Sequence, residues 1–230
     1  MQMVDAARLL TDAGWLSRQP LEFQQRLIAA GEWREVEAGT TINRAGDDSG
    51  GVWGIAAGQM NMTSALGVSG SPVGDIQLPG SWGGVGPIFR RPRGADATAR
   101  MQSLVLYIPQ ARLQRLLAEK PAWWQAMGEL ATDLAFRYAG GLGDMMIRNT
   151  NERCAAVLLR LADCRRRDRE LGLPVTIHCS QDEFAAIANL SRQRAGIILR
   201  ELVNRNYVEL GYRTITVVAA APLRSMIDQS

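Results

Sequence analysis

The apolar positions along this 230-residue chain change their period as it proceeds. From about Gly31 to Gly94, and again at SLVLYI, short β-prone runs such as GVWGIAA and QMNMTSAL alternate with turn formers: GDDSGG, GVSGSPVGD, LPGSWGG and RPRGAD. Many short segments at such spacing, without a long helical period, predict an all-β sandwich or roll. After Tyr107 the spacing becomes helical. IPQARLQRLLAEKP predicts a short helix stopped by Pro121, which can then open the next one in its first turn. From there to Arg165 helical character is almost continuous, interrupted at GGLGD, Gly140 to Asp144. A glycine within a helix costs about 1 kcal/mol relative to alanine. The stretch therefore marks either a kink or a close approach of another helix.

The central segment is apolar on more than one face, through Met127, Leu130, Leu134, Phe136, Leu142, Met145 and Met146. That is more than one small β domain covers. Met127, Leu130, Leu134, Gly141, Leu142 and Met145 are the candidates for a dimer contact, with ordinary core packing as the alternative. The organisation expected is α+β, in three parts. Residues 1–120 form a glycine-rich, jelly-roll-like β roll with N-terminal helices. Residues 121–148 form a central dimerisation helix, and residues 149–230 a C-terminal winged helix-turn-helix.

The last part rests on local signals. PVTIHC is β-prone. SQDEFAAIA then has Ser180 as N-cap and Glu183 three residues on, a capping box, with Phe184, Ile187 and Ala188 as its apolar stripe. Only Asn189 and Leu190 separate it from Ser191, which caps a second helix whose apolar residues are Ala195, Ile198, Leu199 and Leu202. Two helices joined so tightly are the helix-turn-helix pattern. YVELGYRTITVV follows as a hairpin, the wing. Arg192 and Arg194 stand in the first turn of the second helix, where the dipole and unpaired N–H groups favour anions. Exposed arginines on an ordinary surface helix are the plainer alternative. Their place after this turn and before this hairpin favours DNA, since the start of this helix enters the major groove. Arginine pairs bidentately with guanine O6 and N7, and Gln193 pairs similarly with adenine. Ser180, Gln181 and Ser191 are candidates for contact at the two helix starts, and Tyr212, Arg213 and Thr214 at the wing tip.

Charge agrees with this placement. From Arg148 onward 13 arginines face 9 acids, whereas the first 147 residues hold 13 basic and 14 acidic side chains. Fifteen of the 23 glycines lie between Gly31 and Gly94, which marks the loop-rich half. No apolar run approaches the roughly 20 residues that span a bilayer. MQMVDAARLLTDAGWL does not read as a secretory signal, so a cytoplasmic protein is expected. Cys154, Cys164 and Cys179 form no CxxC pair, and His178 is the only histidine, so no metal site is expected. Reduced cysteines are the main reading, with a redox-sensing thiol at Cys154 or Cys164, lowered by nearby arginines, as the alternative. No GxSxG, HExxH or P-loop occurs, and no enzyme activity is expected.

A glycine-rich roll, a long helix and a C-terminal winged helix together resemble the Crp/Fnr family of bacterial transcription regulators, from about Leu21 to Val218. SQDEFAAIANLSRQRAGIILRELVNRNYVEL and TITV follow that family's helix-turn-helix pattern. VEAGTTINRAGDDSGGVWGIAAGQM resembles the opening strands of its cyclic-nucleotide-binding roll, and GSWGGVGPIF its phosphate cassette. The resemblance implies a homodimer on a pseudo-palindromic double-stranded DNA site, contact with RNA polymerase, and a small-molecule or other signal at the roll. Members that bind cyclic AMP have a glutamate for the ribose and an Arg-Ser pair for the phosphate. Here Val85 stands at the glutamate position, Ala95-Asp96 near the Arg-Ser pair, and Tyr138-Ala139 at the central-helix pair that contacts adenine. Cyclic AMP is therefore not the expected effector. No cofactor is evident: the iron–sulfur branch needs an N-terminal cysteine cluster, and a lone His178 supports no haem. Trp82, Val85, Gly86, Ile88, Arg90 and Tyr138 are the candidates for an effector pocket. Trp53, Trp82, Val85, Ile88 and Phe89 serve equally as core, the reading favoured for most of them. RRPRG offers either a displaced cation or a solvated loop. An effector-independent regulator, whose roll only supports dimerisation or protein contact, is the second reading.

Overall fold

The computed structural model describes residues 3–64, 74–165 and 173–228. Two compact units divide the chain: Met1–Ser69 with Gln77–Phe136, and Gly70–Ile76 with Arg137–Ser230. The turn read at GVSGSPVGD falls mostly on residues 65–73, outside the described residues.

Helices α1 (Met3–Asp12) and α2 (Leu21–Ala30) precede the strands β1 (Glu32–Val36), β2 (Thr41–Asn43), β3 (Val52–Ala57), β4 (Met60–Ser64), β5 (Asp75–Gln77), β6 (Trp82–Gly83), β7 (Ala95–Ala99) and β8 (Ser103–Ile108), all in the first unit except Asp75 and Ile76 of β5, which fall in the second. They form two four-stranded sheets, in the orders β1-β8-β3-β6 and β2-β7-β4-β5. This is the expected roll. Strand β3 reads as a continuous apolar run because both its faces are covered. Trp53 and Ile55 point into an inner core with Met60, Met62, Ala97 and Val105, while Val52 and Ala56 join an outer core. The outer core is aromatic: Trp15 stands edge-on to Phe23 at 5.9 Å and to Trp82 at 5.3 Å. Its indole N–H donates to the Ala126 carbonyl at 2.9 Å.

Helix α3 (Gln110–Glu119) lies between Pro109 and Pro121, as its flanking prolines predict. Helix α4 (Trp124–Met146) runs unbroken through GGLGD. The expected interruption there is absent. A side chain at Gly140 or Gly143 would meet nothing within 4 Å, so no other described segment of this chain closes on those glycines. The break comes later. Asn149 caps α5 (Thr150–Leu161), its side-chain oxygen accepting from the Asn151 amide at 2.9 Å.

The second unit holds α5, β9 (Val175–Ile177), α6 (Gln181–Ile187), α7 (Arg192–Asn204), β10 (Val208–Gly211), β11 (Thr214–Val217) and α8 (Ala220–Ile227). Its sheet has the order β10-β11-β9. Helix α5 is its core: Cys154 to Leu161 are all buried, and the helix packs chiefly against α8 and to a lesser extent against α7. A buried ion network also belongs to this unit. Arg160 reaches Asp75 and Asp144, each at 2.8 Å. Arg137 pairs with Asp75 and, at 3.1 Å, with Asp163, and Arg165 completes the chain through Asp144. Burial draws the Arg137 pKa down, but Asp75 and Asp163 more than offset it, so its net shift is upward. Arg160 and Arg165 shift downward through burial.

Candidate nucleic-acid interface

Local chemistry builds the helix-turn-helix. Ser180 and Glu183 close the expected capping box: the Ser180 amide donates to the Glu183 carboxylate at 2.9 Å, and the Glu183 amide to the Ser180 hydroxyl at 3.2 Å. The Ser180 hydroxyl also donates to that carboxylate at 2.9 Å, which leaves its backbone-capping role dominant. Helix α6 ends at Ile187, and Asn189 turns the chain with a φ of 51°, a left-handed conformation that asparagine tolerates. Arg153 of α5 holds this turn from below, donating to the Ala188 carbonyl at 2.9 Å and to Asn189 at 3.3 Å. Ser191 then caps α7 through the Arg194 amide at 3.2 Å.

Helix α7 buries Ala195, Ile198, Leu199 and Leu202, and this stripe leaves Ser191 to Arg194 exposed in its first turn. No acid stands in that turn. The two arginines differ in their partners. Arg192 is 80% exposed, with its Nε 2.8 Å from the Asp182 carboxylate of α6. Arg194 folds back on the start of α5, its Nη2 reaching Thr150 Oγ1 at 2.9 Å and Asn151 Oδ1 at 3.0 Å. Gln181 is exposed on α6, and its side-chain oxygen lies over Gly196 of α7. The wing is the hairpin of β10 and β11, in which Gly211 pairs with Thr214. Tyr212 and Arg213 form its tip, Arg213 at a φ of 53°, and the Tyr212 ring is 92% exposed. Thr214 is half-buried beside them. One unit thus carries all nine residues singled out for DNA contact.

The roll residues fall differently. Trp82 and Ile88 are buried in the outer core and Val85 packs against it, so all three serve as core. Gly86 begins a 3-10 turn, Gly86–Phe89, that ends on an exposed Arg90 with a φ of 55°. Tyr138 belongs to the second unit. Sequence reasoning missed the role of Arg93, one residue before the end of RRPRG. Its guanidinium is 5% exposed and donates to the Ser49 carbonyl at 3.1 Å, to the Gly51 carbonyl at 3.0 Å and to Asn43 Oδ1. The Trp53 indole N–H shares that same Asn43 oxygen at 3.3 Å. Burial shifts the Arg93 pKa downward, with Tyr107 and Asp47 opposing. Its nearest glycines explain the space it occupies. A side chain at Gly50 would meet the guanidinium at 2.1 Å, and one at Gly84 would meet it at 2.9 Å. Both also hold positive φ values, 109° and 88°, that favour glycine. Asp96, near the expected phosphate position, accepts the Ala45 amide at 2.7 Å.

All three cysteines are buried. Burial pushes the Cys154 thiol up to about 12, outweighing Arg153 and Arg194, which draw it down. It is a neutral core residue rather than the activated thiol that the arginine-rich sequence allowed. No group of three potential metal ligands occurs among the described residues. No described helix is long and apolar enough to cross a membrane.

A β roll, a long helix and a winged helix-turn-helix with a cation-bearing first turn define a DNA-binding transcription regulator. Comparison with known families gives the same class: the cyclic nucleotide-binding domain matches residues 33–120, and the Crp-like helix-turn-helix domain residues 152–226. The chain belongs to the Crp/Fnr family, whose members are transcription regulators and not enzymes. Solved structures share the fold. The c-di-GMP-responsive global regulator CLP of Xanthomonas campestris is 18% identical, with a TM-score of 0.62 over 87% of this chain and 100% of that one. A CRP/FNR-family transcriptional regulator of Thermus thermophilus is 20% identical, with a TM-score of 0.54 over 86% of this chain and 98% of its own. A CooA mutant from Carboxydothermus hydrogenoformans is 15% identical, with a TM-score of 0.61 over 87% of this chain and 89% of its own. A search of curated protein sequences finds no match.

Proposed function

We propose that this regulator acts in the cytoplasm as a homodimer, reading a pseudo-palindromic duplex with one α7 per half-site. A signal other than cyclic AMP acts at its roll. The observation that carries the DNA reading is the first turn of α7, where Ser191, Arg192, Gln193 and Arg194 are exposed over a buried apolar stripe. A helix start that holds two cations and no acid of its own has only Asp182 of α6 against Arg192 to offset them, and DNA phosphates and guanine edges supply further anionic partners. The dimer reading draws on α4, where Ala135, Ala139, Leu142 and Met146 form an exposed apolar stripe beside Phe136 and Gly143. Met127 and Leu130 do not contribute to it, because they are spent in the outer core of their own unit, and Leu134 packs against that core. Leu142 stands on the exposed stripe, whereas Gly141 and Met145 are half-buried at its border. Contact with RNA polymerase follows from the family.

The test is selection of random duplexes by the purified, ligand-free protein at about 150 mM salt, since affinity without a stated salt means little. A two-fold symmetric motif with half-sites one turn apart, about 34 Å, is expected. Salt-sensitive binding without a motif removes base reading by α7.

One observation favours the second reading, an effector-independent regulator with the roll as scaffold. Arg93, the inward cation of the cassette region, is already held by three neutral acceptors of its own chain. Ligand-dependent thermal stabilisation separates the two readings. A ligand at 100 times its Kd adds about 2.7 kcal/mol, whereas a scaffold gains nothing.

A further inference from the structure

Two arginines begin α7 two residues apart, and the structure gives them different work. Arg194 is tied to Thr150 and Asn151 at the start of α5. Among the described residues Arg192 has a single charged partner, Asp182, which approaches its Nε at 2.8 Å across the α6–α7 turn. Its Nη1 and Nη2 have no partner among the described residues. We infer that Asp182 is a positioning residue for base reading: it holds the Arg192 guanidinium by Nε and presents the Nη pair to guanine.

The geometry of the side chain makes this specific. A guanidinium is a rigid planar fork of five N–H donors. With a carboxylate on Nε, the side-on edge that uses Nε is taken. The end-on pair, Nη1 and Nη2, keeps its spacing and matches guanine O6 and N7. An arginine is also a long, rotamer-rich side chain, and ordering it before contact removes part of the entropy cost of binding. Asp182 is itself well placed for this, because it sits in the first turn of α6, where the helix dipole favours an acid. The pair is solvent-exposed on both sides, 80% and 61%, so it adds little to folding. Under the DNA reading, Asp182 also adjoins Gln181, a candidate phosphate contact, so its negative charge would oppose non-specific binding. Its expected contribution is therefore discrimination between bases rather than affinity for any duplex.

The inference rests on the DNA reading above, and the experiment separates their failures. Duplex selection is run on the wild type, Arg192→Ala, Asp182→Asn and Asp182→Glu, with thermal unfolding of each. The wild type should give a symmetric motif, and Arg192→Ala should lose preference at one position in each half-site, which identifies the base read. Asp182→Asn should lower discrimination at that same position about five-fold or more, within the range a bidentate contact carries. Its affinity for random duplex should stay level or rise, with its melting temperature unchanged. Asp182→Glu, which keeps the carboxylate, should restore part of the preference. A wild-type motif whose Arg192-dependent position is untouched in Asp182→Asn overturns the positioning role alone. A uniform loss at all positions makes Asp182 structural and also overturns it. No wild-type motif, or one indifferent to Arg192, overturns the DNA reading and this inference with it.

Discussion

Arg93 shows how one residue can redirect the use of a site. Its guanidinium ties the segment from Asn43 to Gly51 to the loop before β7, through the Ser49 and Gly51 carbonyls and Asn43 Oδ1. Two backbone bonds reinforce the tie, from Gly46 to the Arg93 carbonyl and from Arg93 to the Asp47 carbonyl, each at 2.9 Å. No carboxylate stands within ion-pair distance of it among the described residues. The cation is instead solvated by the protein's own dipoles, which makes it a structural clamp. Arg93→Met keeps the apolar stem and removes the donors, taking a partner from the buried Gly51 carbonyl and leaving Asn43 Oδ1 with the Trp53 indole. The expected cost is about 2–4 kcal/mol, measured by urea unfolding as a lower midpoint at unchanged slope. Arg93→Lys should recover little, because one ammonium cannot span the planar set of acceptors. If the lysine variant matches the wild type, the residue contributes charge and not its fork.

Helices and strands differ in how far local sequence dictates them, and the ion network shows where that ends. The caps of α6 and α7 were legible because they need only neighbours: Ser180 with Glu183, and Ser191 with the amide of Arg194. The roll was legible from its glycine-rich turns, and the wing from the hairpin around Tyr212 and Arg213. The break between α4 and α5 was not legible, since its glycines pointed elsewhere and Asn149 gave only a weak signal. Nor was Arg160, a charge within an apolar helix whose partners Asp75 and Asp144 are 85 and 16 residues away. Such pairings depend on tertiary placement, and no period in the chain reports them. Asp144 is 0% exposed between Arg160 and Arg165, so its removal leaves Arg160 without one of its two counterions. Asp144→Asn should destabilise the protein by about 3–5 kcal/mol, the usual cost of breaking a buried pair by deleting one partner. Arg165→Met should cost about 1 kcal/mol, because Arg165 is 35% exposed and water screens its loss. Denaturant unfolding of both variants checks the order. Equal effects would mean that Asp144 serves Arg165 and Arg160 as a surface charge does.

At the scale of the whole molecule, the exposed stripe on α4 is the feature that one chain leaves unused. Ala135, Ala139, Leu142 and Met146 recur at intervals of four, three and four, the spacing of a coiled-coil seam. Small residues at two of the four positions, with Gly140 and Gly143 beside them, allow helix backbones to approach closely. A seam of this kind is self-complementary, as a two-fold interface requires. Leu142 is 71% exposed in the single chain, so a charge there should change the folding stability of one chain by no more than about 0.5 kcal/mol. In a dimer joined at this seam it would face its own copy and bury like charges together. Leu142→Arg should therefore keep its circular dichroism and sediment as a monomer at micromolar concentration, where the wild type is expected to sediment as a dimer. Binding to a full palindrome should fall to the level of a single half-site, while half-site binding is retained. If the proposed dimer is right, the two readouts move together, because a second α7 would reach its half-site only through the first. A variant that stays dimeric moves the interface off this stripe. A variant that becomes monomeric yet binds the full palindrome as tightly as before removes the link between dimerisation and DNA reading.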